Sequence, residues 1–268
     1  METTHELMPG QSAHLEEMSP KAKAWYAGDR ETAETEFKAL RDELIELQTR
    51  LYAESRRKLL VIFQAMDAGG KDGTIRNVFR GVNPQGVRVH SFKVPSQTEL
   101  AHDFLWRIHQ VVPETGMIGV FNRSQYEDVL VVRVHHIVPE SVWRPRYDHI
   151  NHFEQLLTDT GTTILKFYLH ISYQEQQKRF QERLDDPQKH WKFSAEDLEK
   201  RKYWDDYMRA YEEMLLRCTT PYAPWYVIPA DQKWYRDLAI MRVLVQTLHH
   251  MNPQYPTNPA NLDDITLA

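Results

Sequence analysis

The chain has 268 residues, 41% hydrophobic and 26% charged, with a formal net charge of −5. This is the balance of one ordinary globular domain with a possible appendage, and it excludes collagenous, disordered and mini-protein classes. The negative charge argues against a general nucleic-acid coat. The longest apolar run, Leu59 to Phe63, is far too short to span a bilayer. A single cysteine, Cys218, rules out an intrachain disulfide, and no basic segment followed by an apolar one marks a signal peptide. A reducing cytoplasm is therefore the expected compartment, with neither membrane nor nucleic acid as partner.

In chain order, residues 1–28 are polar and broken by Pro9, Gly10, Pro20 and Gly28, and are expected to form a loosely ordered arm. Asp29 to Arg57 carries Phe37, Leu40, Leu44, Leu47 and Leu51 at helical spacing. That apolar face predicts a helix packed on the body of the protein, or one that also pairs with a second subunit. Lys58 to Gln64 is a continuous apolar run, as a buried parallel strand requires. A Gly-rich turn over 65–73 leads into a helix to about Val82. Strands are predicted over 87–94, 117–122, 162–170 and 225–228. Helices are predicted over 97–112, opened by the capping box Ser96 to Glu99, then over 124–134, 140–159, 173–185, 194–218 and 233–250. Asp186-Pro187 breaks the charged stretch near residue 185, and the tail from Asn252 holds three prolines. Strand and helix alternate with crossovers of helical length. The expected fold is three-layer α/β around a parallel sheet.

The most informative segment is Met66-Asp67-Ala68-Gly69-Gly70-Lys71-Asp72-Gly73-Thr74, placed between a strand and a helix. Such a loop aims backbone N–H groups and a helix N-terminus at phosphate, and Lys71 adds a cation. Against the Walker A pattern G-x-x-x-x-G-K-[ST], it matches at Gly70 and Lys71. It departs at Ala65, where the first glycine belongs, and at Asp72, where Ser or Thr belongs. An acid such as Asp67 inside a phosphate loop repels the ligand unless a metal lies between them or it handles a proton. Mg²⁺ suits that place, since it binds through a few carboxylates plus phosphates.

A second signal is Phe121-Asn122-Arg123-Ser124-Gln125-Tyr126-Glu127-Asp128, at the carboxyl end of a strand, where open α/β sheets bind ligands. Arg123 suits a forked phosphate contact, and Glu127 or Asp128 could supply the carboxylate that Asn122 lacks. A third is Lys178 to Phe193, where basic residues flank a helix break, as in a mobile lid. The thirteen histidines form no H-E-x-x-H motif, so zinc is not expected.

Together these motifs resemble family-2 polyphosphate kinases from about residue 33 to residue 250, and Phe-Asn-Arg-Ser-x-Tyr-Glu-Asp resembles the class III branch, with Gln125 a departure from its usual histidine. The resemblance implies a thymidylate-kinase-like P-loop α/β fold, with 1–28 as a flexible arm, 29–251 as one kinase domain including a helical lid at about 178–205, and 252–268 as a tail. It implies reversible transfer of the terminal phosphoryl group of inorganic polyphosphate to ADP and AMP, with guanine nucleotides a further option, in a homodimer or homotetramer.

The implied catalytic residues are Asp67, Lys71, Arg123 and Arg183. Ala68, Gly69, Gly70, Lys71, Asp72, Gly73 and Thr74 would bind phosphate. Asp67 and Glu127 would hold Mg²⁺, with Mn²⁺ as a substitute. Arg76, Arg80, Arg88 and Lys93 are candidates to track polyphosphate, and Asn122, Arg123, Glu127 and Arg133 to bind nucleotide. The competing expectations are an ATP-dependent nucleoside or nucleotide kinase, and a polyanion-binding module without turnover.

Overall fold

In the computed structural model, which describes residues 5–23 and 25–257, five strands form one fully parallel sheet. They are β1 (Lys58–Gln64), β2 (Val87–Ser91), β3 (Ile118–Asn122), β4 (Thr162–His170) and β5 (Trp225–Pro229), in the order β2-β3-β1-β4-β5. The helices are α1 (Arg30–Glu54), α2 (Lys71–Val78), α3 (Gln97–Leu100), α4 (Trp106–His109), α5 (Val131–Val134), α6 (Glu140–Trp143), α7 (Arg146–Asp159), α8 (Tyr173–Asp185), α9 (Ala195–Arg201), α10 (Trp204–Cys218) and α11 (Lys233–Met251).

Every residue of β1 after Lys58 is buried, because helices cover both sheet faces. On one face Leu59, Val61 and Phe63 pack with Phe37, Leu44 and Leu51 of α1 and Leu244 of α11. On the other, Leu60 and Ile62 join Phe153 of α7 and Tyr211 and Met214 of α10. The three layers are those expected. Helix α1, capped by Asp29 Oδ1 accepting from the Thr32 amide at 2.8 Å, lies beside α11. It thus packs on the body of its own chain, and Arg242 of α11 grips Glu36.

Several predicted helices are shorter or split. The Ser96 capping box is present, but α3 lasts one turn. Asp103 Oδ1 then captures the Leu105 amide, offering the backbone an alternative to the helix, and α4 starts afresh. Pro145 separates α6 from α7, as its missing N–H requires. Residues 124–134 form a 3₁₀ turn, Gln125–Val129, followed by α5. Strand β2 stops at Ser91 and the helix after the phosphate loop stops at Val78.

The loosely ordered arm is also corrected, for residues 5–23. The Leu7 amide donates to Trp225 O and the Val227 amide to His5 O, so the segment adds an antiparallel bridge beside β5. Leu7, Ala13 and Leu15 are buried in the core. Three apolar residues in a polar stretch, without period, gave no element signal, yet they suffice to anchor it. The end of the tail, 258–268, lies outside the described residues. Among the described residues no helix is long and apolar enough to cross a membrane.

Candidate active site

The carboxyl ends of β1 and β3 open into a cleft of about 1230 Å³, walled by α2, the start of α11 and the segment from α8 to α9. At its floor the chain leaves β1 and turns sharply. Ala68 and Gly70 have φ of 59° and 103°. A Cβ on Gly70 would stand 2.3 Å from Arg236 Nη1, and one on Gly69 would stand 2.5 Å from Ala65 Cβ. Only glycine fits either position. Gly73, inside α2, meets nothing within 4 Å and carries no such constraint.

Lys71 begins α2 and folds back over the loop. Its Nζ donates to Ala65 O at 2.8 Å and to Met66 O at 3.4 Å. Burial, reinforced by the Arg123 charge, lowers its pKa to about 8, while Asp67 and Glu127 oppose the shift. Asp67 behaves differently. Burial works against its charge, yet Arg123, Lys71 and Lys200 pull the carboxyl down to about 2. Arg123 Nη2 donates to Asp67 Oδ1 at 2.6 Å, and Lys200 Nζ from α9 donates to Oδ2 at 3.1 Å. Asp67 is therefore an anion throughout the physiological range, not a proton donor.

Arg123 itself sits at φ 64°, with its amide donating to Phe63 O at 3.0 Å. A left-handed arginine at a strand end is the kind of strain that clusters at functional sites. Beside it, Asn122 Nδ2 donates to Asp72 Oδ1 at 2.6 Å. Asp72, which stands where the Walker pattern has Ser or Thr, thus finds its partner in Asn122 at the neighbouring strand end. Arg183 at the end of α8 donates to Lys192 O at 3.0 Å and pairs with Asp197 at 3.4 Å, so it ties together the segment from α8 to α9.

Of the expected phosphate-binding residues, Ala68, Gly69, Gly70, Lys71, Asp72 and Gly73 line the cleft. Thr74 does not; it is fully buried, and its hydroxyl makes no hydrogen bond among the described residues. Arg76, Arg80 and Lys93 line the cleft. Arg88 does not, because it reaches from the edge strand to Glu114 at 2.9 Å, both side chains exposed. Arg133 is likewise misplaced as a nucleotide contact. It pairs with Glu213 of α10 and stacks on Trp143 of α6, outside the cleft lining. Glu127 is not among the lining residues either. Its Oε1 accepts from Gln64 Nε2 at 3.1 Å, and its charge bears on Lys71 and Arg123. Asp128 turns away to Arg146.

Three site residues had no role in the sequence reading. Arg179 of α8, 6% exposed, donates to Ala68 O and Ala230 O and so clamps the phosphate loop to the residue that follows β5. Arg236, 3% exposed, lies against Gly70 with Asp237 as its partner. Lys200 meets Asp67 from 133 residues away. Arg179 and Lys200 could be noticed only as members of basic clusters, and Arg236 reads as part of an amphipathic helix.

Eleven basic and five acidic residues line the cleft, a local excess of six positive charges in a chain of net charge −5. A phosphate loop under a cationic cleft at the strand ends of a parallel sheet defines a P-loop phosphotransferase. The family model for polyphosphate kinase 2 matches residues 27–256. A Meiothermus ruber protein, "AMP/ADP-polyphosphate phosphotransferase", is 53% identical over 94% of each chain. A Rhodopseudomonas palustris protein, "ADP-polyphosphate phosphotransferase", is 51% identical over 84% of this chain and 82% of its own. The crystal structure of polyphosphate kinase 2 from Arthrobacter aurescens TC1 superposes with a TM-score of 0.92 at 43% identity, covering 96% of this chain and 92% of that one. The chain belongs to the polyphosphate kinase 2 family.

Proposed function

We propose that the chain transfers the terminal phosphoryl group of inorganic polyphosphate, reversibly, to ADP and to AMP. The observation that carries this reading is the cationic cleft above Lys71, together with the 53% identity to a relative whose name gives AMP and ADP as acceptors. Polyphosphate offers no base to recognise. Arg76, Arg80, Lys93 and the cations of the lid and α11 form the kind of wall a long polyanion needs.

Phosphoryl transfer passes through a loose transition state with charge spread over the equatorial oxygens, so the protein must align two oxygens and offset charge. The loop amides and Lys71 take the donor's terminal phosphates. Arg123 from the strand end and Arg183 from the lid face the migrating group. The acceptor's terminal phosphate is already ionised near neutral pH, so no strong base is needed, and Asp67 is too acidic to act as an acid. Among the described residues no three His, Cys, Asp or Glu side chains converge into a metal cage. One or two carboxylates plus substrate phosphates is the usual way Mg²⁺ is held, and Asp67, which lines the cleft, fits that part, with Glu127 as the second candidate. Asp67 would hold the ion, which when bound would supply positive charge to offset that of the phosphates.

The acceptor range is tested by chromatography of nucleotides over time, with AMP, polyphosphate and Mg²⁺ as the only inputs and no ATP. ADP should appear first and ATP later. If ADP is converted readily while AMP stays untouched, the activity is confined to ADP.

Arg183→Ala should lower kcat roughly 10²-fold with a smaller effect on nucleotide KM, because a lid cation acts mainly on the closed, reacting state. Steady-state kinetics against varied nucleotide decide this, and a rise in KM at unchanged kcat would make Arg183 a simple binding residue.

Lys71 also makes polyanion binding pH-dependent. Phosphate favours its ammonium form, which the free protein holds only below about pH 8. Affinity for tripolyphosphate should be flat below that pH. It should then fall by up to about tenfold per pH unit as the free amine loses its proton. Calorimetric titrations across this range should show proton uptake on binding above pH 8. In Lys71→Ala both the slope and the uptake should vanish.

A further inference from the structure

The segment Pro187–Lys192 between α8 and α9 is a 3₁₀ turn that carries Trp191 with 79% of its surface exposed. The turn is firmly built. The Gln188 amide donates to Asp186 Oδ1, the Phe193 amide to His190 O, and Arg183 to Lys192 O at 3.0 Å. A large apolar ring is thus held out in solvent by a structured turn rather than left on a loose tip. Trp191 lines the phosphate cleft, and Lys189 and Lys192 line it on either side. The other aromatic of the lining, Phe92, is 4% exposed and packs edge-on against Phe121, so its faces are not available. All the remaining accessible lining is charged, small or amide-bearing, suited to phosphates and ribose but not to a flat base.

We propose that Trp191 is the platform on which the acceptor nucleotide's base stacks, with Lys192 on the ring and Lys189 nearby meeting its phosphates. This deepens the phosphoryl-transfer reading and rests on it. Every nucleobase has a π face, so stacking is worth a similar amount for each base and sets nucleotide affinity without strict base choice. Lys192 Nζ lies 4.8 Å from the ring centroid and already uses one face, which leaves the opposite face for the base.

The test compares wild type, Trp191→Ala and Trp191→Phe by equilibrium titration with ADP, GDP and tripolyphosphate, and by KM for each nucleotide. Loss of a stacked base should weaken ADP and GDP alike, by roughly five- to hundredfold, in Trp191→Ala. Trp191→Phe should recover most of that loss. Tripolyphosphate, which has no base, should bind all three proteins alike. Unchanged ADP affinity in Trp191→Ala would overturn the proposal. So would an equal loss for tripolyphosphate, which would make Trp191 a shaper of the lid, or a loss confined to one base, which would mean edge recognition. A wild type that binds ADP but makes no ATP from polyphosphate would instead fail the transfer reading and leave the stacking result to stand by itself.

Discussion

Lys71→Ala is expected to lower kcat by about 10²–10³ while the protein stays folded, since one preorganised charge is removed from the transition state. The side chain is buried over Ala65 O and Met66 O, so the loop is shaped around it before any phosphate arrives. Its removal should not unfold the domain. Gly69, Gly70 and Arg179 hold the loop's turn independently, through close backbone packing and the donation to Ala68 O. Circular dichroism and thermal melting beside the rate measurement separate the two effects. A variant with more than half the wild-type rate would remove Lys71 from the chemistry.

Lys166→Met should be among the most destabilising single changes in the protein, at about 3–5 kcal/mol. Lys166 on β4 and Glu154 on α7 are both fully buried, with Nζ 2.6 Å from Oε2. The ammonium also donates to Tyr126 Oη at 2.8 Å and to Cys218 O at 2.7 Å. Glu154 Oε1 accepts from Tyr126 Oη and from Gln125 Nε2. Removing the cation strands a carboxylate in the core. Adding Glu154→Gln to the variant should recover part of the loss, because the stranded charge is then gone. Chemical denaturation of the two variants tests this, and a loss below about 1 kcal/mol for Lys166→Met would show that the pair is not needed. The same network gives Gln125 its place: it serves the core beneath the 3₁₀ turn that follows Arg123, not the substrate.

Much of the fold was legible because its signals are local. β1 and β4 were read to the residue, since an uninterrupted apolar run bounded by turn residues leaves few alternatives. The break at Pro187 was visible for the same reason. Helix ends were less legible. Whether Asp103 extends a helix or restarts one depends on whether its side chain finds the Leu105 amide, which composition does not decide.

The candidate site divides in the same way. The Gly69-Gly70-Lys71 loop, Asp67 and Arg123 are contiguous with strand ends, and their spacing alone places them at the mouth of a parallel sheet. Arg133 was grouped with Arg123 among the nucleotide-binding candidates. Its true partners, Glu213 and Trp143, come from α10 and α6, and their pull on the guanidinium is decided by packing. Arg88 was counted with Arg76 and Arg80, but the edge strand points it towards Glu114.

By itself the sequence determined the parallel α/β architecture and the phosphate loop, because apolar runs, glycine and proline act within a few residues. It placed the end of the charged helix at Asp186-Pro187 as well, because proline cannot continue a helix. Only the tertiary structure decided which cations surround the loop. Arg179 clamps Ala68, Arg236 closes on Gly70 and Lys200 takes Asp67 Oδ2, from 111, 166 and 133 residues further along the chain. Electrostatic and hydrogen-bond energies depend on distance in space, and nothing in the spacing of a chain records which distant side chains the packing of the layers will bring within reach of the loop.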